Sequence, residues 1–337
     1  MSDSAGLGAR TVVVAGAVAG ALLLCVAASL LVGAESIAPG RVLAAVLGHG
    51  DQQADALVLD LRLPRTAVAI AVGAALGVGG ALIQAYTRNP LADPGILGVN
   101  GGAALGVTLA LWTGAASTTS ALVLPALAGS LIATIMLLTL AAAGRGPATP
   151  LRMILAGVAL AAVLGGLTTA IRLTDAGAFD GYRSWVAGSV AGRALSDLAG
   201  IAPYLGAGLL LAFLLVRPLN AVALGEDTAA ALGVDTRRVR VGTVLAVTLL
   251  TGAATAVAGP VAFLGLMVPH VCRLLVGNDQ RRIIPLCALV APVVLLSADV
   301  LARVALPLRE MPVGVVTAFV GAPVLIRLVS SKKVHAQ

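Results

Sequence analysis

A few places in the sequence carry side chains whose types and spacing could do chemistry. Gly48-His49-Gly50-Asp51 reproduces the GxGD string used for aspartyl hydrolysis within membranes. That reaction needs two aspartates facing each other on helices, whereas this string lies in a polar stretch, so an ordinary glycine turn is the better reading. His270 follows Met267-Val268-Pro269 with no second candidate ligand nearby and reads as a helix-end residue, not a metal ligand. Arg62 and Arg65 stand three apart, and Asp299 and Arg303 four apart on one helical face. As exposed charges they would add little stability but could select and orient an acidic partner. The stretch RNPLADPGILGVNGG (88–102) sets Arg88, Asn89, Asp93 and Asn100 among two prolines and four glycines. The only lysines, Lys332 and Lys333, follow no glycine, so the Gly-Lys of a phosphate-cradling P-loop is missing, as is an HExxH zinc pair. No catalytic or metal-binding residue is expected, and any nucleotide must be handled by another chain.

The elements that must position these groups follow from composition. With 59% apolar and 11% charged residues and a mean hydropathy of +1.03, the chain of 337 residues cannot cover its apolar surface in water. In a bilayer the backbone must bond to itself, which favours helices, and the alternation of a barrel strand is absent. Forty glycines suit close helix contact. The fold class expected is an all-α polytopic membrane protein built as a single domain over residues 1–337. Cys25, Cys272 and Cys287 lie in apolar stretches and read as packing residues. Leu24 stands where a lipoprotein signal needs a small residue, so Thr11–Gly33 reads as a first span. The net charge of +7 has no aromatic-interleaved patch to suggest nucleic acid.

About ten spans are expected, at 11–34, 66–86, 96–112, 121–143, 151–171, 197–216, 241–258, 260–276, 283–301 and 313–329. Val241–Val276 as one helix would run roughly 54 Å, too long for a bilayer, and Gly259-Pro260 is where it must turn back. Of the 22 basic residues, fourteen fall on the N-terminal side and eight on the other, which puts both termini in the cytoplasm. Trp112 and Trp185 then fall near the outer surface, as interfacial anchors would. Residues 35–60 make a polar external segment, and 174–196 an interfacial or re-entrant pair of outer helices. Residues 223–240, the longest polar cytoplasmic segment, read as a capped helix–turn–helix knob. Glu226 and Asp227 sit at a helix N-terminus, alanines follow, Gly233 stops the helix and Asp235 caps the next.

Together these pieces resemble the FecCD-type permeases of ATP-driven importers for iron–siderophore complexes, haem and cobalamin. The matching strings are LRLPR (61–65), GALIQAYTRNPLADPGILGVNGGA (80–103), LAGVAL (155–160), ALGEDTAAALGV (223–234), GPVAFLGLMVPHVCRLLVG (259–277) and SADVLARV (297–304), continuing through residue 329. The resemblance implies the fold of a type II ABC importer, like the cobalamin-importer permease, with ten helices per subunit and a dimeric transmembrane core around the substrate path. It implies two cytoplasmic ATPase subunits that bind the ATP, an extracytoplasmic binding protein, and a second permease as homodimer or heterodimer with a paralogue. The chain itself would carry no cofactor.

By the same resemblance, residues matching Arg62, Arg65 and Arg303 receive acidic residues of the binding protein. Those matching Asn89 and Leu91 close the cytoplasmic end of the path, with a second constriction in the loop holding Thr149 and Pro150. Residues 223–240, with Gly225, Glu226, Asp227, Ala230, Ala231, Leu232 and Gly233, would be the coupling helices, although Thr228 departs from the usual alanine. Ferric siderophores are the expected cargo in a bacterial cytoplasmic membrane, with haem or cobalamin as alternatives. A proton-driven transporter using Asp299 as relay is a rival reading, but few charges fall at mid-membrane depth.

Overall fold

The computed structural model describes residues 2–33, 35, 37–116, 118–143, 150–305 and 310–330, with no strand among them. Seven helices are long and apolar enough to cross a membrane, and three shorter apolar helices, Val99–Trp112, Leu264–Val276 and Val313–Arg327, complete the expected ten. In chain order the helices are α1 (Ser2–Leu31), α2 (Pro39–Val46), α3 (Gln52–Asp55), α4 (Leu63–Thr87), α5 (Val99–Trp112), α6 (Val123–Ala142) and α7 (Pro150–Thr174). They continue as α8 (Ala176–Val186), α9 (Leu195–Val222), α10 (Glu226–Ala231), α11 (Thr236–Ala258), α12 (Leu264–Val276), α13 (Gln280–Val304) and α14 (Val313–Ser330).

α4 and α11 form the middle of the bundle. α4 packs on α13, α11, α12 and α9, while α5 lies between α6 and α7. Small residues let these backbones approach. A Cβ on Gly80 of α4 would fall 1.8 Å from the Gly265 carbonyl, and one on Gly129 of α6 would fall 2.1 Å from the Gly102 carbonyl of α5. Between apolar helices, hydroxyl pairs add direction: Ser29–Thr66 at 2.7 Å and Thr134–Thr248 at 2.8 Å. Gly129→Ala is therefore expected to cost about 1–3 kcal/mol through overpacking. Thermal melting of the chain in nanodiscs reads this, and an unchanged midpoint would show that α5 and α6 separate at no cost.

The predicted turn at Gly259-Pro260 is present. α11 stops at Ala258, Gly259 takes φ +72°, and α12 begins at Leu264 after Phe263 at φ +66°. Two expectations change. The helix of the second span begins at Gln52, not near residue 66, because a π-helical stretch, Ala56–Arg62, joins α3 to α4 without a break. The extra residue per turn in such a stretch gives no signal in apolar periodicity. Residues 174–196 hold one short helix, α8, where a pair was expected. Gly188 and Gly192 take φ +70° and +66°, and residues 187–194 form a turn into α9.

Candidate functional site

The polar groups gather at the two ends of the bundle. At the first end, Arg62, Arg65 and Arg303 are 5%, 9% and 5% exposed, so the expectation of exposed charges is overturned. The cause is the C-terminus of α1, whose last carbonyls have no helical partner. Arg62 Nη1 donates to the carbonyls of Leu30 (2.7 Å) and Leu31 (2.9 Å), and its Nη2 to Glu35. Arg303 Nη1 donates to the carbonyls of Ser29 (2.7 Å) and Val32 (3.2 Å). Cations at that position also oppose the helix dipole. Asp299, 1% exposed, accepts from Arg65 Nε and Nη2 (3.0 and 2.8 Å) and from Arg303 Nε (3.0 Å) and Nη2. Glu310 takes the remaining arm of Arg65 at 2.6 Å. These three arginines tie α1, α4 and α13 together and line a recess of about 510 Å³ shared with Asp60 and Arg193.

Arg193, which sequence reasoning did not single out, is 6% exposed, and neither its Nε nor its Nη1 has a partner among the described residues. Burial lowers its pKa from the ordinary arginine value, while the charge of Asp197 works the other way. Trp185 is 3% exposed, with no partner for its Nε1 among the described residues, so it is not an interfacial anchor; Trp112 is 52% exposed. Nearby, the Arg172 guanidinium lies 4.1 Å from the centre of the Tyr182 ring. The GHGD string is a turn. Gly48 takes φ +74°, Asp51 caps α3 through the Ala54 N–H at 2.8 Å, and Arg41 grips the same carboxylate at 2.8 and 3.0 Å, holding its pKa below the ordinary value.

At the opposite end, the stretch 88–98 closes α4 and launches α5. Arg88 takes φ +51° as the left-handed cap, and the Asn89 N–H reaches back to the Gln84 carbonyl. Asn89 Oδ1 accepts from the Leu91 N–H at 2.9 Å, and Asp93 Oδ1 from the Gly95 N–H at 2.8 Å. Burial pushes the Asp93 carboxyl up, with the Gly95 N–H opposing. Asn89 and Leu91 are both exposed. Thr149 lies outside the described residues, and Pro150 opens α7.

Gln84 is the residue that holds this turn, and its only sequence signal is a buried-span position beside the 88–98 break. It is 2% exposed; its Nε2 donates to the carbonyls of Ala92 (3.3 Å) and Leu266 (3.1 Å), and its Oε1 accepts from Arg273 Nη2 at 2.6 Å. Gln84→Leu should destabilise by about 2 kcal/mol, since it takes a donor from the Ala92 carbonyl and leaves the Arg273 cation without its side-chain acceptor. A melting midpoint equal to wild type would show that the turn holds itself.

Beside this turn stands the knob. α10 starts at Gly225 (φ +113°) with Glu226 and Asp227 in its first turn and ends at Gly233 (φ +79°). Asp235 then caps α11 through the Arg238 N–H at 3.0 Å. Ala229 is buried against α9, while Ala230, Ala231, Leu232 (63% exposed) and Leu224 (66%) face outward. An open apolar groove of about 680 Å³ runs along α14, with Pro260 and Ala262 on its wall and Phe319 75% exposed.

Ten apolar helices among the described residues, with charged groups gathered towards the two ends, make this a multi-pass membrane protein. The chain belongs to the FecCD transport family, whose model matches residues 21–331. It is 46% identical over 312 residues to the ferric enterobactin transport system permease protein FepD of Escherichia coli K12, covering 92% of this chain and 93% of that one. It is 39% identical to the iron(3+)-hydroxamate import system permease protein FhuB of Bacillus subtilis (91% and 80% covered). It is 38% identical to the vitamin B12 import system permease protein BtuC of Salmonella typhi (91% of each). Among solved structures, a metal-chelate type ABC transporter in an inward-facing conformation superposes with a TM-score of 0.82 at 26% identity, covering 94% of this chain and 98% of that one.

Proposed function

We propose that this chain is the permease subunit of an ATP-driven importer that passes ferric siderophores across the bacterial inner membrane. The exposed face of α10 carries the reading. A short helix bounded by Gly225 and Gly233, with alanines and Leu232 turned outward, is a plug for a groove in another protein, and the sequence lacks the Gly-Lys of a P-loop. Its partners are two cytoplasmic ATPases that bind ATP, seated on residues 225–233, and an extracytoplasmic binding protein at the recess of Arg62, Arg65 and Arg303. Both termini then lie in the cytoplasm. A second permease, identical or paralogous, covers the apolar groove along α14, whose Phe319 and Ile326 are 75% and 66% exposed. Asn89 and Leu91, with Thr149 and Pro150, close the cytoplasmic end of the path. The likeness to ferric siderophore permeases supports the cargo.

The chain's role is to hold two conformations whose balance the ATPases bias. Reconstitution tests this. Vesicles holding the permease, ATPases and binding protein should accumulate a ferric siderophore only with ATP, and uptake by the permease alone would overturn it. A second reading, cobalamin import, rests on the 38% identity to BtuC. Competition between ferric siderophore and cobalamin in the same vesicles separates the two, and haem is tested alongside.

A further inference from the structure

Arg193 differs from the three arginines beside it. Arg62, Arg65 and Arg303 spend their donors on α1 carbonyls, Asp299 and Glu310, whereas Arg193 has Nε and Nη1 unused. No carboxylate pairs with it among the described residues; the neighbouring Asp197 accepts from the Ala194 N–H at 3.0 Å. A buried guanidinium left unpaired works against the fold, so its natural state is with an anion. Arg193 lies between two spaces. One is the 510 Å³ recess; the other is a cavity of about 290 Å³ walled by Thr118, Thr119, Ser184, Ser189 and Trp185. Trp185, whose indole N–H also has no partner among the described residues, lines the same cavity. A guanidinium and an indole N–H with unused donors suit an oxyanion, and the volume admits one acidic side chain but no whole ferric chelate.

We infer that Arg193 and the Trp185 indole N–H form a carboxylate-accepting site, filled by an acidic side chain of the binding protein as it docks. The identity of that partner rests on the proposed importer function; the site itself rests on the geometry. Its position lets docking be felt inside the bundle. The segment between the two residues is bonded to the end of α11 and the start of α14: the Ser189 N–H donates to the Ala258 carbonyl at 2.7 Å, and the Gly314 N–H to the Gly188 carbonyl at 3.0 Å. A carboxylate drawn to Arg193 thus acts on the α11–α12 turn and the start of α14.

Two experiments separate the site from its occupant. With Trp112→Phe, Trp185 is the only indole left of two. Acetate titrated into this variant in nanodiscs, against sodium chloride of equal ionic strength, should change Trp185 fluorescence saturably, and adding Arg193→Gln should abolish the response. No acetate-specific response would overturn the site. In the assembled permease–ATPase complex, Arg193→Gln should weaken docking of the binding protein by about tenfold or more, the range of an interface hot spot, and Arg193→Lys should recover part. Unchanged docking would overturn the assigned occupant, and so would a loss confined to uptake of anionic chelates, which would give the site to the cargo. A residue kept for the fold would lower the melting point when replaced. Arg193→Met should not lower it, and a fall of several degrees would also overturn the reading. Failure of the importer proposal reads separately, as absent ATP-dependent uptake by the wild type.

Discussion

Asp299→Ala should remove about 3–5 kcal/mol of stability, enough to abolish folding of a marginally stable chain. The carboxylate is the shared acceptor of Arg65 and Arg303, and its side chain is 1% exposed. Without it two buried guanidinium groups face each other with no charge between them, and the attachment of α1 to α4 and α13 weakens. Arg303 would keep the Ser29 carbonyl and hydroxyl, and Arg65 would keep Glu310, so the loss stops short of complete dispersal of the cluster. Melting of the purified chain in nanodiscs measures it, and a midpoint within about 2 °C of wild type would sink the account. A companion variant sharpens the test. Arg65→Met with Asp299→Leu and Arg303→Met removes every charge shared through the Asp299 carboxylate and should regain part of the stability, because apolar groups can replace a buried ionic network, less what the Ser29 and Val32 carbonyls lose with Arg303. The same packing complicates docking experiments. Arg62→Glu with Arg65→Glu, the obvious charge reversal for the proposed binding-protein face, would set a second carboxylate against Asp299, so lost docking in that variant mixes folding with recognition.

Ala231→Glu in α10 should lower ATP-driven uptake by about tenfold or more while leaving the melting point within error. The side chain is exposed, so the isolated permease loses nothing, but a charge set in the face proposed to enter the ATPase would have to be desolvated there. Leu232→Asp should behave alike. Ala229→Glu is the contrast, since Ala229 is 0% exposed and its replacement should damage the permease itself. Normal uptake with Ala231→Glu would remove α10 from the coupling role.

Much of the bundle is legible in the residues. Apolar length alone places the ten helices, and Gly259-Pro260 marks the turn between α11 and α12 because no bilayer accommodates the unbroken alternative. The knob is legible for the same local reason: caps, alanines and Gly233 are all within a few residues of one another. What escapes is whatever depends on distant pairing. Asp299 stands 234 residues from Arg65, so nothing in sequence spacing reveals that the arginines are buried and bound inward. Arg193 is marked in sequence only by Asp197 four residues on, and spacing does not show that its Nε and Nη1 find no partner among the described residues. Trp185 has the flanking sequence of an interfacial anchor and is buried because Gly259, whose Cβ would fall 2.2 Å from the Trp185 carbonyl, lets α8 settle on the α11–α12 turn. Gln84 looks like one polar residue in a greasy span until Ala92, Leu266 and Arg273 converge on it.

The seal on the end of α1 also sets a schedule for biogenesis. The Ser29 carbonyl waits for Arg303, made 274 residues later, which at about 5–20 residues per second is roughly 14–55 s of ribosome time. Arg62 reaches Leu30 after only 32 residues and can hold the nascent helix in the interval. α1 is thus among the last helices of this bundle to be fully locked, with Arg62 holding its end while the helices from α4 to α13 are made.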